Sequence, residues 1–274
     1  MPTARVNGVE IAYAEAGEGF PLVWCHEFGG SMESWAPQVH FFSRYYRVIT
    51  YNARGYPPSE VPKDPAAYSQ DIAIEDLHGL LEHLQIDRAY VGGLSMGGAT
   101  ALHFGIRHPE MARAVIVAAA GSGSTNPEEF RATSIALAER LEREGAAGMR
   151  DYAQGPTRVQ LRRKDPAGWQ EFAALLARHS PTGSALTMRG VQAGRPPIFA
   201  WEAQMRAMQV PALILVGDED EPCIEPSLFM KRQIPHSGLA VFPQSGHCIN
   251  LEEPDLFNRL CLEFLHAVEA GRWA

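Results

Sequence analysis

No stretch of the 274 residues holds 18 consecutive apolar side chains, about the length a helix needs to cross a bilayer, so no membrane span is expected. Cysteine is scarce. Cys25, Cys223, Cys248 and Cys261 are scattered, with no CxxC pair and no spacing that fits a disulfide framework. Neither those cysteines nor His26 and His247 match a zinc template, so no metal is expected. The opening residues MPTARVNGVEIAY lack a basic segment followed by an apolar one, so a signal peptide is not expected. With the cysteine usage, this predicts a cytoplasmic protein. Basic residues are outnumbered, 24 Lys and Arg against 32 Asp and Glu. The resulting charge of −8 repels phosphate backbones and argues against nucleic-acid binding as the main function. With 25 Gly and 20 Pro, the chain is well below the roughly 25–30 % at which low-complexity sequences begin. What remains is a chain 46 % hydrophobic and 20 % charged, long enough to fold around its own core.

Short apolar runs alternate with amphipathic stretches. Asn7-Gly8, between two apolar runs, predicts a tight hairpin. Residues 21–26, 46–52, 89–94, 114–121, 211–217 and 238–243 read as buried strands. Helices are expected at 35–43, 69–86, 96–107, 226–234 and 254–270, with Ser69 capping the second. Continuous apolar strands alternating with helices indicate a parallel sheet covered on both faces. Residues 122–200 break the rhythm, with helical patterns over 127–144, 165–179 and 184–193 and no strong strand. The expectation is one α/β domain, 1–121 and 201–274, interrupted by a helical insertion at 122–200.

Four sites carry chemistry. Gly93-Leu94-Ser95-Met96-Gly97 joins an expected strand to an expected helix. This is the G-x-S-x-G pattern that thrusts a serine hydroxyl above a sheet, at a helix N-terminus offering N–H groups to an oxyanion. Acids follow the strand 211–217, in Gly217-Asp218-Glu219-Asp220-Glu221-Pro222. Ser245-Gly246-His247 follows the last strand and completes the order Ser, Asp, His. Finally, Cys25-His26-Glu27-Phe28-Gly29-Gly30 follows the strand 21–26, with glycines that permit close backbone approach. Composition does not choose between Asp218 and Asp220.

On these motifs the chain resembles the α/β-hydrolase superfamily over nearly its whole length. It looks closest to the cap-bearing esterase, lactonase, C–C hydrolase and cofactor-free haloperoxidase branch. The resemblance implies an α/β-hydrolase fold: a mostly parallel eight-stranded sheet flanked by helices, with an inserted helical cap. It also implies Ser95 as nucleophile, Asp220 as acid and His247 as base, with the Phe28 and Met96 backbone N–H groups as the oxyanion hole. No cofactor is implied. Branches that use an Asp nucleophile to open epoxides or displace halides are disfavoured by Ser95. Two departures stand out. The loop usually begins His-Gly, but here it is His26-Glu27. The usual Asp-x-Arg-Gly-x-Gly-x-Ser reads Asn52-Ala53-Arg54-Gly55-Tyr56-Pro57-Pro58-Ser59. Glu27 is expected to be strained at a glycine position and to pair with Arg54.

The expected activity is serine hydrolysis of a small carboxylic ester or lactone. C–C bond hydrolysis of a diketone and cofactor-free perhydrolysis are the alternatives. A non-enzymatic ligand receptor on the same fold is disfavoured because all three triad members are present. The partner is a small acyl substrate, and self-association is left open. His26, Glu27, Trp169 and Trp201 are the candidates to line the substrate pocket. The insertion is Arg-rich, with Arg131, Arg140, Arg143, Arg150, Arg158, Arg162, Arg163, Arg178, Arg189 and Arg195, and one such residue facing the cleft would suit a substrate carboxylate.

Overall fold

The protein is described by a computed structural model covering residues 1–273. Eight strands form one sheet: β1 (Thr3–Val6), β2 (Val9–Ala16), β3 (Pro21–Cys25), β4 (Arg47–Tyr51), β5 (Ala89–Leu94), β6 (Ala112–Ala118), β7 (Ala212–Gly217) and β8 (Ser237–Phe242). Their spatial order is β1-β2-β4-β3-β5-β6-β7-β8. The β1–β2 and β2–β4 pairs are antiparallel, and the remaining pairs are parallel. The hairpin turns at Asn7 and Gly8, both at positive φ (43° and 81°), as the Asn-Gly pair predicts.

Eleven helices are placed around the sheet among the described residues. They are α1 (Ala36–Phe42), α2 (Gln70–His83), α3 (Met96–Arg107), α4 (Pro127–Glu144), α5 (Val159–Lys164), α6 (Pro166–Leu176), α7 (Pro181–Thr187), α8 (Glu202–Ala207), α9 (Glu221–Gln233), α10 (Ile249–Glu252) and α11 (Pro254–Glu269). Ser69 caps α2, its Oγ accepting from the Ile72 N–H at 3.1 Å. Alternate residues of each strand feed opposite faces. Val23, Val91 and Val117 pack with α2 and α3 side chains such as Leu77 and Leu102. Trp24, Tyr90 and Ile116 pack with α11 side chains such as Phe257 and Phe264. Burial on both faces explains why the central strands read as unbroken apolar runs.

Between β6 and β7 the chain holds helices α4 to α8 and no strand, with short 3₁₀ turns, a π-helical turn at Met188–Gln192 and irregular connections. A third apolar cluster forms here. It joins Phe172, Leu176 and Met149 from this segment to Phe28, Met96 and Cys248 from the sheet's C-terminal edge. No helix is long and apolar enough to cross a membrane among the described residues. Helix α9 starts at Glu221, five residues before the expected 226, because Pro222 sits in its first turn, where a missing N–H costs nothing. Trp201 does not reach the substrate cavity. It packs edge-on against His103, ring centroids 4.3 Å apart, beside the α2/α3 core.

Candidate active site

The loops at the C-terminal ends of β3, β5, β7 and β8 meet under the helical segment. Ser95 occupies the turn between β5 and α3 with φ 56° and ψ −111°, in a region L-residues rarely occupy. Three contacts hold it there. Its N–H donates to the Ala118 carbonyl at 2.8 Å, and its carbonyl accepts from Ala99 at 2.9 Å. The flanking glycines provide the third, since the turn packs backbone on backbone. A Cβ at Gly97 would collide with the Cys25 carbonyl, and one at Gly93 with the Gly97 carbonyl. Met96 is the first residue of α3, so its N–H has no intrahelical acceptor and lies at the positive end of the helix dipole.

Asp220 and His247 arrive from β7 and β8. Asp220 is fully buried, and the His247 Nδ1 lies 2.8 Å from its Oδ2. His247 is 5 % exposed and is braced on three sides. The Gly246 and Cys248 N–H groups both donate to the Glu252 carboxylate, at 2.7 and 3.0 Å. The His247 N–H donates to the Thr157 carbonyl at 2.7 Å. With Nδ1 committed to Asp220, Nε2 is the nitrogen left for proton exchange. Asp218 lies elsewhere: it is exposed, and its Oδ1 accepts from the Ser245 N–H at 3.1 Å.

The loop after β3 corrects two expectations. Glu27 is not strained, because it is absent from the positive-φ residues of the described chain. It opens a turn closed by the Gly30 N–H donating to its carbonyl at 3.1 Å, with Phe28 and Gly29 between. Nor does Glu27 pair with Arg54. Arg54 makes two hydrogen bonds to Asp76 instead. Glu27 pairs with Arg158 of the helical insertion, Nη1 to Oε1 at 2.8 Å and Nη2 to Oε2. Both are buried, at 2 % and 5 % exposure. Arg158 also donates to the Tyr152 hydroxyl at 2.8 Å and stacks its guanidinium over that ring. Burial by itself would raise the Glu27 carboxyl, but the charge and hydrogen bonds of Arg158 outweigh it and hold the group at about 2. Asn52, standing where an acid is usual, accepts from the Met32 N–H at 2.7 Å and donates to the Pro57 carbonyl at 2.7 Å. That task requires an amide.

Removing one partner of such a buried pair leaves a stranded charge and costs about 3–5 kcal/mol. Glu27→Ala is therefore expected to lower unfolding free energy by that order in a urea titration, and Glu27→Leu with Arg158→Met to recover most of it. The pair also has a pH signature. Glu27 falls from 4.5 to about 2 on folding, so its stabilisation is complete above pH 4.5 and fades as pH drops toward 2. The Glu27→Gln protein should lose the corresponding part of its acid sensitivity in that window. An unchanged acid limb would contradict the pairing.

Ser95, His247 and Asp220 line one cavity of about 310 Å³, with Tyr152, Arg158 and Arg195 from the insertion. Three further expected pocket residues are placed elsewhere. His26 and Glu27 support the loop rather than the cavity. His26 Nε2 accepts from the Ala53 N–H at 2.9 Å, and its Nδ1 faces the Glu27 carbonyl at 2.7 Å. Burial lowers the His26 pKa, which keeps the ring in the neutral form that this pattern needs. Trp169 donates to the Ala153 carbonyl at 3.0 Å and lines a separate cavity within the insertion. Sequence patterning did not single out Tyr152, and it did not tell Arg158 and Arg195 from the other arginines of the insertion. Their side chains come from irregular segments with no periodicity to read.

Among the described residues, Asp220, Cys223 and His247 form the one cluster with metal-ligand atoms within 4.8 Å of one another. Burial raises the Cys223 thiol well above its ordinary value, which disfavours the thiolate a metal would take. The cluster's short Asp–His hydrogen bond suits proton transfer better.

A sequence profile described as the alpha/beta hydrolase fold matches residues 21–254. The chain belongs to this family. Among its relatives, 3-oxoadipate enol-lactonase 2 of Acinetobacter baylyi is 29 % identical, over 98 % of this chain and 95 % of that protein. A 2-hydroxy-6-oxo-6-phenylhexa-2,4-dienoate hydrolase of Comamonas testosteroni is 28 % identical, over 93 % and 91 %. The crystal structure of an enol-lactonase from Burkholderia xenovorans superposes with a TM-score of 0.86 at 26 % identity, covering 97 % of this chain and all of that one. Family membership carries the fold, and the α/β hydrolase is an enzyme.

Proposed function

We propose that this hydrolase cleaves a small carboxylic ester or lactone through an acyl-enzyme. The observation that carries the reading is the buried Asp220–His247 hydrogen bond, opening onto the cavity that holds Ser95 on its strained turn. Ser95 Oγ attacks the carbonyl, and His247 Nε2 takes its proton and returns it to the leaving oxygen. Asp220 fixes the imidazole tautomer and stabilises the imidazolium. The Phe28 and Met96 N–H groups hold the oxyanion, and losing one such donor typically costs about 2.7–4 kcal/mol. Water then attacks the acyl-enzyme and the same relay runs in reverse. The helical insertion acts as a cap that limits substrate size and bulk water.

Carbon–carbon bond hydrolysis of a diketone is the second reading. The named activity of the Comamonas relative favours it, and the same three side chains can perform it. A cytoplasmic location suits the four unpaired, buried thiols. A panel of p-nitrophenyl esters of rising chain length, alongside lactones and vinylogous diketones, separates the readings. Turnover of short esters or lactones is expected. Turnover of the diketones alone would overturn the ester reading in favour of the second.

A further inference from the structure

The loop after β3, which carries the Phe28 N–H, is held from two sides. On the core side the Glu27 carbonyl accepts two hydrogen bonds. One comes from the Gly30 N–H at 3.1 Å. The other comes from His26 Nδ1 at 2.7 Å, which carries the ring proton because Nε2 accepts from the Ala53 N–H. The peptide between Glu27 and Phe28 is trans and planar, so a fixed carbonyl fixes the Phe28 N–H pointing the opposite way. That N–H donates to no group among the described residues. The loop also abuts the nucleophile turn, since a Cβ at Gly97 would collide with the Cys25 and His26 carbonyls.

On the other side the helical insertion grips the same loop. Arg158 takes the Glu27 carboxylate with both Nη atoms. Tyr152 meets the Phe28 ring edge-on, centroids 5.3 Å apart, and with Phe172 it crowds the place a Gly29 Cβ would take. Arg158 is anchored in turn to the loop that carries the base. Its neighbour Thr157 accepts the His247 N–H at 2.7 Å, and its own Nη1 lies 3.1 Å from the Cys248 Sγ. At the end of α5, Lys164 donates to the Ser245 hydroxyl at 2.8 Å. One short stretch, 157–164, therefore holds the His247 loop and the Phe28 loop together.

A buried ion pair adds little net stability, because desolvation offsets most of its attraction. What its two parallel hydrogen bonds add is direction. Glu27 stands where the usual pattern has a glycine, which has no side chain to be gripped.

We infer that Glu27 and Arg158 are positioning residues of the oxyanion hole: through this pair the insertion sets where the Phe28 N–H stands relative to His247, and the two must serve one carbonyl. The role rests on the proposed acyl-enzyme and adds the side chains that align it. A pair that only stabilised the fold would leave the rate per folded molecule unchanged.

Wild type, Glu27→Gln, Arg158→Lys and the double variant Glu27→Leu with Arg158→Met are compared per folded molecule. Each is assayed for kcat and KM on the ester the wild type prefers, and for affinity toward trifluoromethyl ketones of rising alkyl length. Ser95 Oγ bonds to the ketone carbon, His247 takes the hydroxyl proton, and the ketone oxygen becomes the anion in the hole. The double variant should lose roughly 10- to 100-fold in kcat with KM within about threefold, and the same factor in ketone affinity. Arg158→Lys, which keeps the charge but not the fork, should recover part of both losses, and Glu27→Gln should fall between wild type and the double variant. The unfluorinated ketones, which bind without forming the adduct, should change little. Rates and ketone affinities that follow the folded fraction alone, or a loss confined to KM, overturn the positioning role. If the double variant does not fold, Arg158→Lys and Glu27→Gln decide by the same comparison. A wild type that forms no ketone adduct sinks the oxyanion hole and the positioning role with it. A wild type that forms the adduct, cleaves no ester and needs the pair for the adduct keeps the positioning role and sinks the ester reading alone.

Discussion

Replacing Ser95 by alanine should lower kcat by about 10⁶-fold while the protein remains folded. The magnitude follows from the nucleophile's role, since without Oγ no acyl-enzyme forms and His247 has no proton to take. Folding is spared for a structural reason. Alanine keeps the Cβ, so the φ of 56° at the turn is no more strained than with serine, and the backbone bonds to Ala118 and Ala99 are unchanged. Steady-state rates on the preferred substrate, with circular dichroism of both proteins, check this. Retention of more than about a tenth of the activity would remove serine from the mechanism.

The second expectation distinguishes two acids that lie two residues apart. Asp220→Asn should cost on the order of 10⁴-fold in kcat, because the amide favours the wrong His247 tautomer and cannot stabilise an imidazolium. Asp220 is fully buried and in direct contact with Nδ1, so the loss is electronic and orientational rather than a matter of surface charge. Asp218→Asn should stay within about threefold, since an asparagine oxygen can still accept from the Ser245 N–H. A dead Asp218 variant beside an active Asp220 variant would reverse the assignment.

Much of this architecture was legible because it rests on local rules. Strands buried on both faces read as apolar runs, and β5 and α3 begin and end where the pattern places them, at 89–94 and 96–107. The elbow was legible because backbone-on-backbone packing at positions 93 and 97 admits only glycine. The choice of Asp220 over Asp218 needed the family spacing, because one turn of chain carries both. What sequence could not supply was long-range pairing. Glu27 is 131 residues from Arg158, and both lie in segments without periodicity, so nothing local favoured that partner over Arg54. Aromatic residues misled in the same way. Trp169 and Trp201 are large and apolar, and such side chains fill cores as readily as pockets.

The central claim is that Ser95 is the activated nucleophile of an Asp220–His247 relay. Intact-mass spectrometry after treatment with a fluorophosphonate, followed by peptide mapping, tests it most directly. One adduct per chain is expected, on the peptide containing Ser95, formed quickly by the wild type and very slowly by His247→Ala. A protein left unmodified, or one labelled at another serine with Ser95 untouched, would contradict it.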